Sequence, residues 1–264
     1  MNAWGGARYD ALAGWLPSIG ADVVCLQEVT RTPSISGWTT FRDDERELAQ
    51  RANLFADVTG LLPRHQGSFD ASDAGPVGIV NEDGGSVAHR QDFGLATFID
   101  GRYPVVGRLS EFVFGTFTDH ERWPSDGRPR LAQGVRVLDR VGQRYVTIVH
   151  LHGLRSTTGK GDTANRRHQA ERLVAAVERL RRPGDLTIVC GDLNIVPDSI
   201  TFDLLADIGL VDLVGWADTR TSSYTKPTRH ANYLLVSDRT AVGNLDIPAR
   251  PEVSDHRPLI LDIA

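Results

Sequence analysis

Four short polar runs, each beside an apolar stretch, hold the side chains with chemical capacity. Gln27-Glu28 follows Val23–Leu26, and His150-Leu151-His152 closes a run through Thr147, Ile148 and Val149. Gly191-Asp192-Leu193-Asn194 follows Leu186–Cys190, and Ser254-Asp255-His256 leads into Leu259–Ile263. A carboxylate emerging from a buried strand is costly unless paired or metal-bound, so Glu28 is either a cation ligand or the first residue of a loop. Asp192 and Asn194 share one face of an extended chain. A carboxylate beside an amide oxygen suits a hard cation such as Mg²⁺, and the amide NH₂ suits a phosphate oxygen. The plainer reading is an Asx turn ahead of a helix near Ser199. His150 and His152, two apart, could ligate zinc, but no further His or Cys stands nearby at zinc-like spacing, which favours proton transfer or phosphate contact. Asp255 and His256 offer one metal ligand and one proton-transfer group. Together these are the parts for metal-assisted phosphoester hydrolysis.

The four runs are far apart in sequence, so only a fold that gathers strand ends can assemble them. Apolar, β-branched segments predict strands at Asp22–Leu26, Phe93–Ile99, Phe112–Phe117, Gly134–Leu138, Tyr145–His150, Leu186–Cys190, Tyr233–Val236 and Leu259–Ile263. Helical spacing predicts helices over Ala7–Ile19, Glu45–Asp57 and Thr163–Arg182, and a short one from Ser199. Arg64–Gln91, rich in Gly, Asp and Ser, reads as surface loop, as does Thr118–Pro129 with Trp123 inside it. Many strands with few interspersed helices imply a mixed sheet architecture with helices outside.

Composition sets outer bounds. The chain of 264 residues is 41% hydrophobic and 24% charged, reads as one domain over residues 1–264, and has no apolar run near the ~20 residues of a membrane span. Its N-terminus has neither the basic start nor the apolar run of a signal peptide. Cys25 and Cys190 lie in apolar runs and read as reduced core residues, so a cytoplasmic protein is expected. With 29 basic and 34 acidic side chains, the formal charge of −5 argues against holding nucleic acid by bulk electrostatics. It leaves room for an enzyme that visits phosphate groups. Arginines cluster over 128–144 and 155–172, mostly as solvated faces.

In order and wording the motifs resemble the endonuclease/exonuclease/phosphatase superfamily of DNase I-like phosphoesterases. The resemblance runs almost end to end through Asn2 with Trp4, Gln27-Glu28, His150-Leu151, Gly191–Asn194, Tyr233–Ser237 and Ser254–His256. It implies a four-layer α/β sandwich, two packed mixed β-sheets flanked by helices. It also implies a Mg²⁺- or Mn²⁺-dependent hydrolase of a phosphodiester or phosphomonoester, nucleic acid being one of the substrate classes it allows. Carried over by residue, Glu28 is the principal metal ligand, with Asn2 and Asp255 close to the ion. Asp192 orients or deprotonates the attacking water, Asn194 holds the scissile phosphate, and His150 and His256 stabilise its charge. Arg155, Lys160 and Arg166, just after the His150 strand, are candidate phosphate contacts. Three departures stand out. A strand ahead of the motif asparagine is not in the sequence: either it is missing, in which case Asn2 is expected to be poorly anchored, or the true start lies upstream. Asn232 replaces the aspartate that usually supports the histidine matching His256, which admits a weakened member acting as a nucleic-acid- or protein-binding module. The tyrosine of the abasic-site enzymes has no match in Phe112–His120.

Overall fold

The computed structural model describes residues 1–80 and 86–264. Two six-stranded sheets form its centre. One runs in the order β1 (Val23–Arg31), β5 (Ser86–Asp100), β4 (His65–Val80), β2 (Trp38–Arg42), β3 (Glu47–Arg51), with β7 (Thr118–Asp119) beside β4. The other runs β11 (Val211–Asp212), β12 (Asn232–Val236), β10 (Leu186–Asp192), β9 (Arg144–His152), β8 (Arg130–Asp139), β6 (Val105–Phe114). The helices α1 (Tyr9–Trp15) and α2 (Leu54–Leu61) share a buried cluster with β1 and β5, while α3 (Ala164–Leu180) and α4 (Ile200–Ala206) pack on the second sheet. The four layers of the sandwich are therefore helix, sheet, sheet, helix.

The central strands follow from their residues. β9 and β10 pair in parallel and are covered on both faces, which suits their near-continuous apolar runs. α3 covers the outer face: Thr163 caps it by accepting from the Arg166 N–H at 3.2 Å, and Ala170, Leu173, Ala176, Val177 and Leu180 form its buried stripe. The inner face is polar where the sheets meet: His150 of β9 reaches Gln27 of β1 and Thr97 of β5.

Three expectations are corrected. Glu45–Asp57 is not one helix. Glu47–Arg51 pairs with β2 as a strand, and Asn53 then caps α2 by accepting from Ala56 N–H at 3.2 Å. Arg64–Gln91 is not a surface loop: it supplies β4 and the start of β5, a long antiparallel hairpin whose Gly and Ser hid its strand character; residues 81–85 of that expected loop lie outside the described residues. In Thr118–Pro129, expected as surface loop, Trp123 is fully buried against Phe41, Phe93 and His120, with Nε1–H donating to the Pro76 carbonyl at 2.7 Å, so the segment carries a core residue. The strand expected at Leu259–Ile263 forms as β14 (Ile260–Ile263), paired with β13 (Val242–Asp246) in a separate two-stranded sheet. No helix among the described residues is long and apolar enough to cross a membrane.

Candidate active site

The ends of β1, β9, β10 and β12 converge with the N-terminal segment and the Ser254–His256 turn. Asn2 needs no preceding strand for its anchorage: Ala3 N–H donates to the Gln27 carbonyl at 2.8 Å and Gln27 N–H to the Met1 carbonyl at 3.1 Å, a short parallel bridge along β1. Asn2 is 1% exposed, and its Nδ2 donates to Glu28 Oε1 and Asp192 Oδ2, both at 3.0 Å. One amide thus holds two carboxylates from different sheets side by side.

The backbone bends to aim these groups. β1 is bulged between Leu26 and Val29, and Glu28 sits at φ 55°, which swings its carboxylate out of the strand. Trp4 at φ 53° and Asn194 at φ 54° share this left-handed region, which costs on the order of 1–3 kcal/mol for most residues and clusters at working sites. Gly191 is needed where β10 passes β9: at φ 136°, an added Cβ would stand 2.1 Å from the Leu151 carbonyl oxygen.

Two histidines flank the carboxylates. His152 Nε2 is 3.7 Å from Glu28 Oε1 and 3.6 Å from Asp192 Oδ2, and His256 Nε2 is 3.3 Å from Asp192 Oδ2. Asn232 gives its Nδ2–H to the Arg257 carbonyl at 2.8 Å, so its Oδ1, 2.8 Å from His256 Nδ1, accepts the ring proton. Arg220, a donor only, faces His256 Nε2 and gives the same Nη1 to Asp255 Oδ2 at 2.9 Å. These partners assign His256 as the neutral Nδ1–H tautomer. Burial, then the Arg220 charge, holds its pKa well below the usual histidine range; burial, then Arg130, does the same for His152. Burial pushes the Asp255 carboxyl up to about 7, with Arg220 opposing and the Glu28 and Asp192 charges adding to the rise.

The two histidines of β9 lie on one face at different depths, and the structure corrects the choice between them. His150 does not reach the carboxylates. It is buried between the sheets, with Gln27 Nε2 at 3.0 Å from Nδ1 and Gln133 Oε1 and Thr97 Oγ1 each 2.9 Å from Nε2. His152, two residues on and paired with Asp192 across the β9–β10 ladder, is the one at the rim. Both His150 nitrogens are engaged, which leaves the ring no free nitrogen to share a zinc with His152.

Among the phosphate-contact candidates, Asn194 lies beside Asp192, its N–H donating to Asp192 Oδ1 at 3.1 Å. Lys160 donates Nζ to the His230 carbonyl; burial brings its pKa down to about 8, against the charges of Asp192 and Asp255. Arg155 binds the Ser125 carbonyl at 2.8 Å and Glu45, joining two loops at the rim. Arg166 is not brought to the site: it is 2% exposed and gives its Nη1 and Nη2 donors to the carbonyls of Leu154, Gly159 and Gly161, pinning the loop before α3. Arg220 was not legible in sequence. Only the bridge between Arg220 and His256 brings it in, and no local motif announces that pairing.

The donor set fits a hard cation. Glu28 Oε2 is buried with no hydrogen-bond partner among the described residues, an oxygen left open for an ion. No group of three His, Cys, Asp or Glu side chains that could hold a metal ion stands among the described residues. An open carboxylate oxygen suits an ion such as Mg²⁺, which takes one or two carboxylates and fills its shell with water and substrate phosphate.

Comparison with known proteins agrees with this architecture. The model of the Endonuclease/Exonuclease/phosphatase family matches residues 1–256. An endonuclease/exonuclease/phosphatase from Bacteroides vulgatus superposes with a TM-score of 0.66 at 16% identity, over 100% of this chain and 96% of its own. A mannosyl-6-phosphatase of Bacteroides thetaiotaomicron gives 0.64 at 15%, over 98% and 91%. D. rerio TDP2 complexed with single strand DNA product gives 0.62 at 13%, over 98% and 95%. No curated protein matches the sequence. The family match over nearly the whole length, on a DNase I-like sandwich, establishes that the chain belongs to the Endonuclease/Exonuclease/phosphatase family.

Proposed function

We propose that the protein is a single-domain, cytoplasmic, Mg²⁺- or Mn²⁺-dependent phosphoesterase. The observation that carries this reading is the Asn2 amide bridging Glu28 and Asp192 while Glu28 Oε2 stays unpartnered. Glu28 would hold the ion, with Asp255 and Asn2 beside it, and the bound ion supplies charge neutralisation to the phosphate and the leaving oxygen.

The remaining work belongs to the chain's own groups. Asp192, fixed by Asn2 on Oδ2 and by the Asn194 N–H on Oδ1, orients the attacking water and draws off its proton. Asn194 and His152 contact the phosphate oxygens. Arg220 carries positive charge to the same place and holds His256 and Asp255 in position. Asn232 maintains the His256 ring through the contact that an aspartate would otherwise make. That contact speaks against the reading of a disabled binding module. Glu28→Ala and Asp192→Ala, each folded by circular dichroism, are expected to lose turnover; full activity in either purified variant would overturn the assignment.

A further inference from the structure

Arg128, Arg136 and Arg220 each meet a carboxylate, and they do not use the same edge of the guanidinium. Arg128 gives Nε and Nη2 to the two oxygens of Asp73 at 2.6 and 3.0 Å, and Arg136 gives the same two nitrogens to Asp185, both at 2.8 Å. That edge is the planar fork that takes two oxygens of one anion. Arg220 keeps it open. Its Nη1 donates to Asp255 Oδ2 at 2.9 Å and faces His256 Nε2. Both of its side-chain contacts among the described residues leave from Nη1, and its Nε is buried without a partner. At 4% exposure, donors left open on this guanidinium are costly unless something closes them.

Measured contacts put the open fork beside the reacting centre. His256 Nε2, which faces Arg220, is 3.3 Å from Asp192 Oδ2, and that oxygen shares the Asn2 amide with Glu28. The arginine is held from several sides. Its Cζ lies 4.0 Å from the Tyr224 ring centroid. Its backbone N–H donates to Asp218 Oδ1 at 2.9 Å, and its carbonyl accepts from Arg229 Nη2 and Arg257 Nε, each at 2.8 Å. A cation fixed in this way needs no reorganisation as charge builds on a phosphate.

The same contacts limit what His256 can offer. Its Nδ1–H is spent on Asn232 Oδ1 at 2.8 Å. Its Nε2 faces a group that only donates, so that nitrogen accepts and has no proton to give a phosphate oxygen. Resting on the phosphoesterase reading above, we propose that Arg220 grips the substrate phosphate through its Nε–Nη2 fork, and that His256 is a positioning residue that holds the guanidinium by Nη1.

The test is a double-mutant cycle on the purified full chain, with binding of inorganic phosphate measured by calorimetry in Mg²⁺ and in chelator. The variants are Arg220→Met, His256→Leu and the two together, each checked for folding by circular dichroism. Arg220→Met is expected to weaken phosphate binding by about tenfold or more. His256→Leu should weaken it by a smaller factor, and the double variant should bind no more weakly than Arg220→Met alone, because His256 acts through the arginine. Arg220→Lys keeps a charge for Asp255 but lacks the fork, so it should still bind about threefold or more below wild type. That variant carries the test if Arg220→Met does not fold. Equal phosphate affinity in wild type and Arg220→Met, absence of binding from both included, would overturn the proposal. So would wild-type affinity in Arg220→Lys, or losses that multiply in the double variant. Phosphate binding is read without turnover, so failure here is distinguishable from failure of the phosphoesterase reading, which Glu28→Ala reports.

Discussion

His150 and His152 point from the same face of β9, and the regions they enter differ in one respect above all: whether the polar atoms are already satisfied. Around His150, between the sheets, Gln27, Thr97 and Gln133 engage both ring nitrogens, and Gln133 passes its Nε2–H on to Asp70 Oδ2 at 2.6 Å. Around His152, at the rim, the nearest carboxylate oxygens stand at 3.6 and 3.7 Å, Glu28 Oε2 has no partner, and three backbone positions sit in the left-handed region. The first region is finished by folding; the second keeps a carboxylate oxygen open. Between these two histidines, satisfaction of hydrogen bonds, more than residue type or burial, marks the difference.

The largest effect expected from that contrast is on Asp192. Asp192→Ala should lower kcat by about a thousandfold or more, because it removes the group that positions water, with Tm held; a loss below tenfold would place the water-activating group elsewhere. His152→Ala is expected to lower kcat by about a hundredfold with little change in Tm. His150→Ala should do the reverse, destabilising by about 2–4 kcal/mol through the orphaned amides of Gln27 and Gln133. Denaturant titration and steady-state kinetics on the two variants would expose an exchange of these phenotypes, and with it an error in the assignment.

Acid sharpens the same comparison. Burial lowers the His150 pKa from 6.5 to about 3, so between these values the unfolded chain binds a proton that the folded one refuses. The His150 contribution is therefore intact above about pH 6.5 and is lost progressively as pH falls toward 3, a change on the order of a few kcal/mol. His150→Gln should flatten the slope of Tm against pH over that range, and an unchanged slope would deny the neutral buried ring. At alkaline pH, Lys160 loses its charge near about 8, so KM should rise through that pH in the wild type and stay flat in Lys160→Met. The smallest effect belongs to Asn232→Asp. Since Asn232 Oδ1 already accepts from His256 Nδ1 at 2.8 Å, the rate should change by about tenfold or less.

How much of this was legible in sequence depended on what each segment shows locally. β9, β10 and β12 announce themselves because strands buried on both faces are apolar throughout, and Thr163–Arg182 does so through its cap and stripe. β4 did not: a long half-exposed hairpin tolerates Gly, Ser and Asp, the residues that elsewhere mark loops. β3 was read into a helix because Glu45–Asp57 keeps helical spacing, and only pairing with β2 decides otherwise. At the site, Asn2, Glu28, Asp192, Asn194, Asp255 and His256 stand in motifs, and the fold brings them together. Depth along β9 is invisible to period-two reasoning, so nothing in the sequence corrected the resemblance's choice of His150 over His152. Arg220 carries no motif, and what distinguishes it, a bridge to His256 36 residues away, exists only in three dimensions.

The most direct test of the central claim is hydrolysis by the purified wild type and Asp192→Ala, side by side. The panel would span small phosphate monoesters and diesters, RNA, and single-stranded, double-stranded and abasic DNA, with Mg²⁺, with Mn²⁺ and with chelator. The account predicts cleavage of at least one class by the wild type, dependent on the added ion and lost in chelator and in Asp192→Ala. Turnover that survives chelation, or that persists in folded Asp192→Ala, would contradict it.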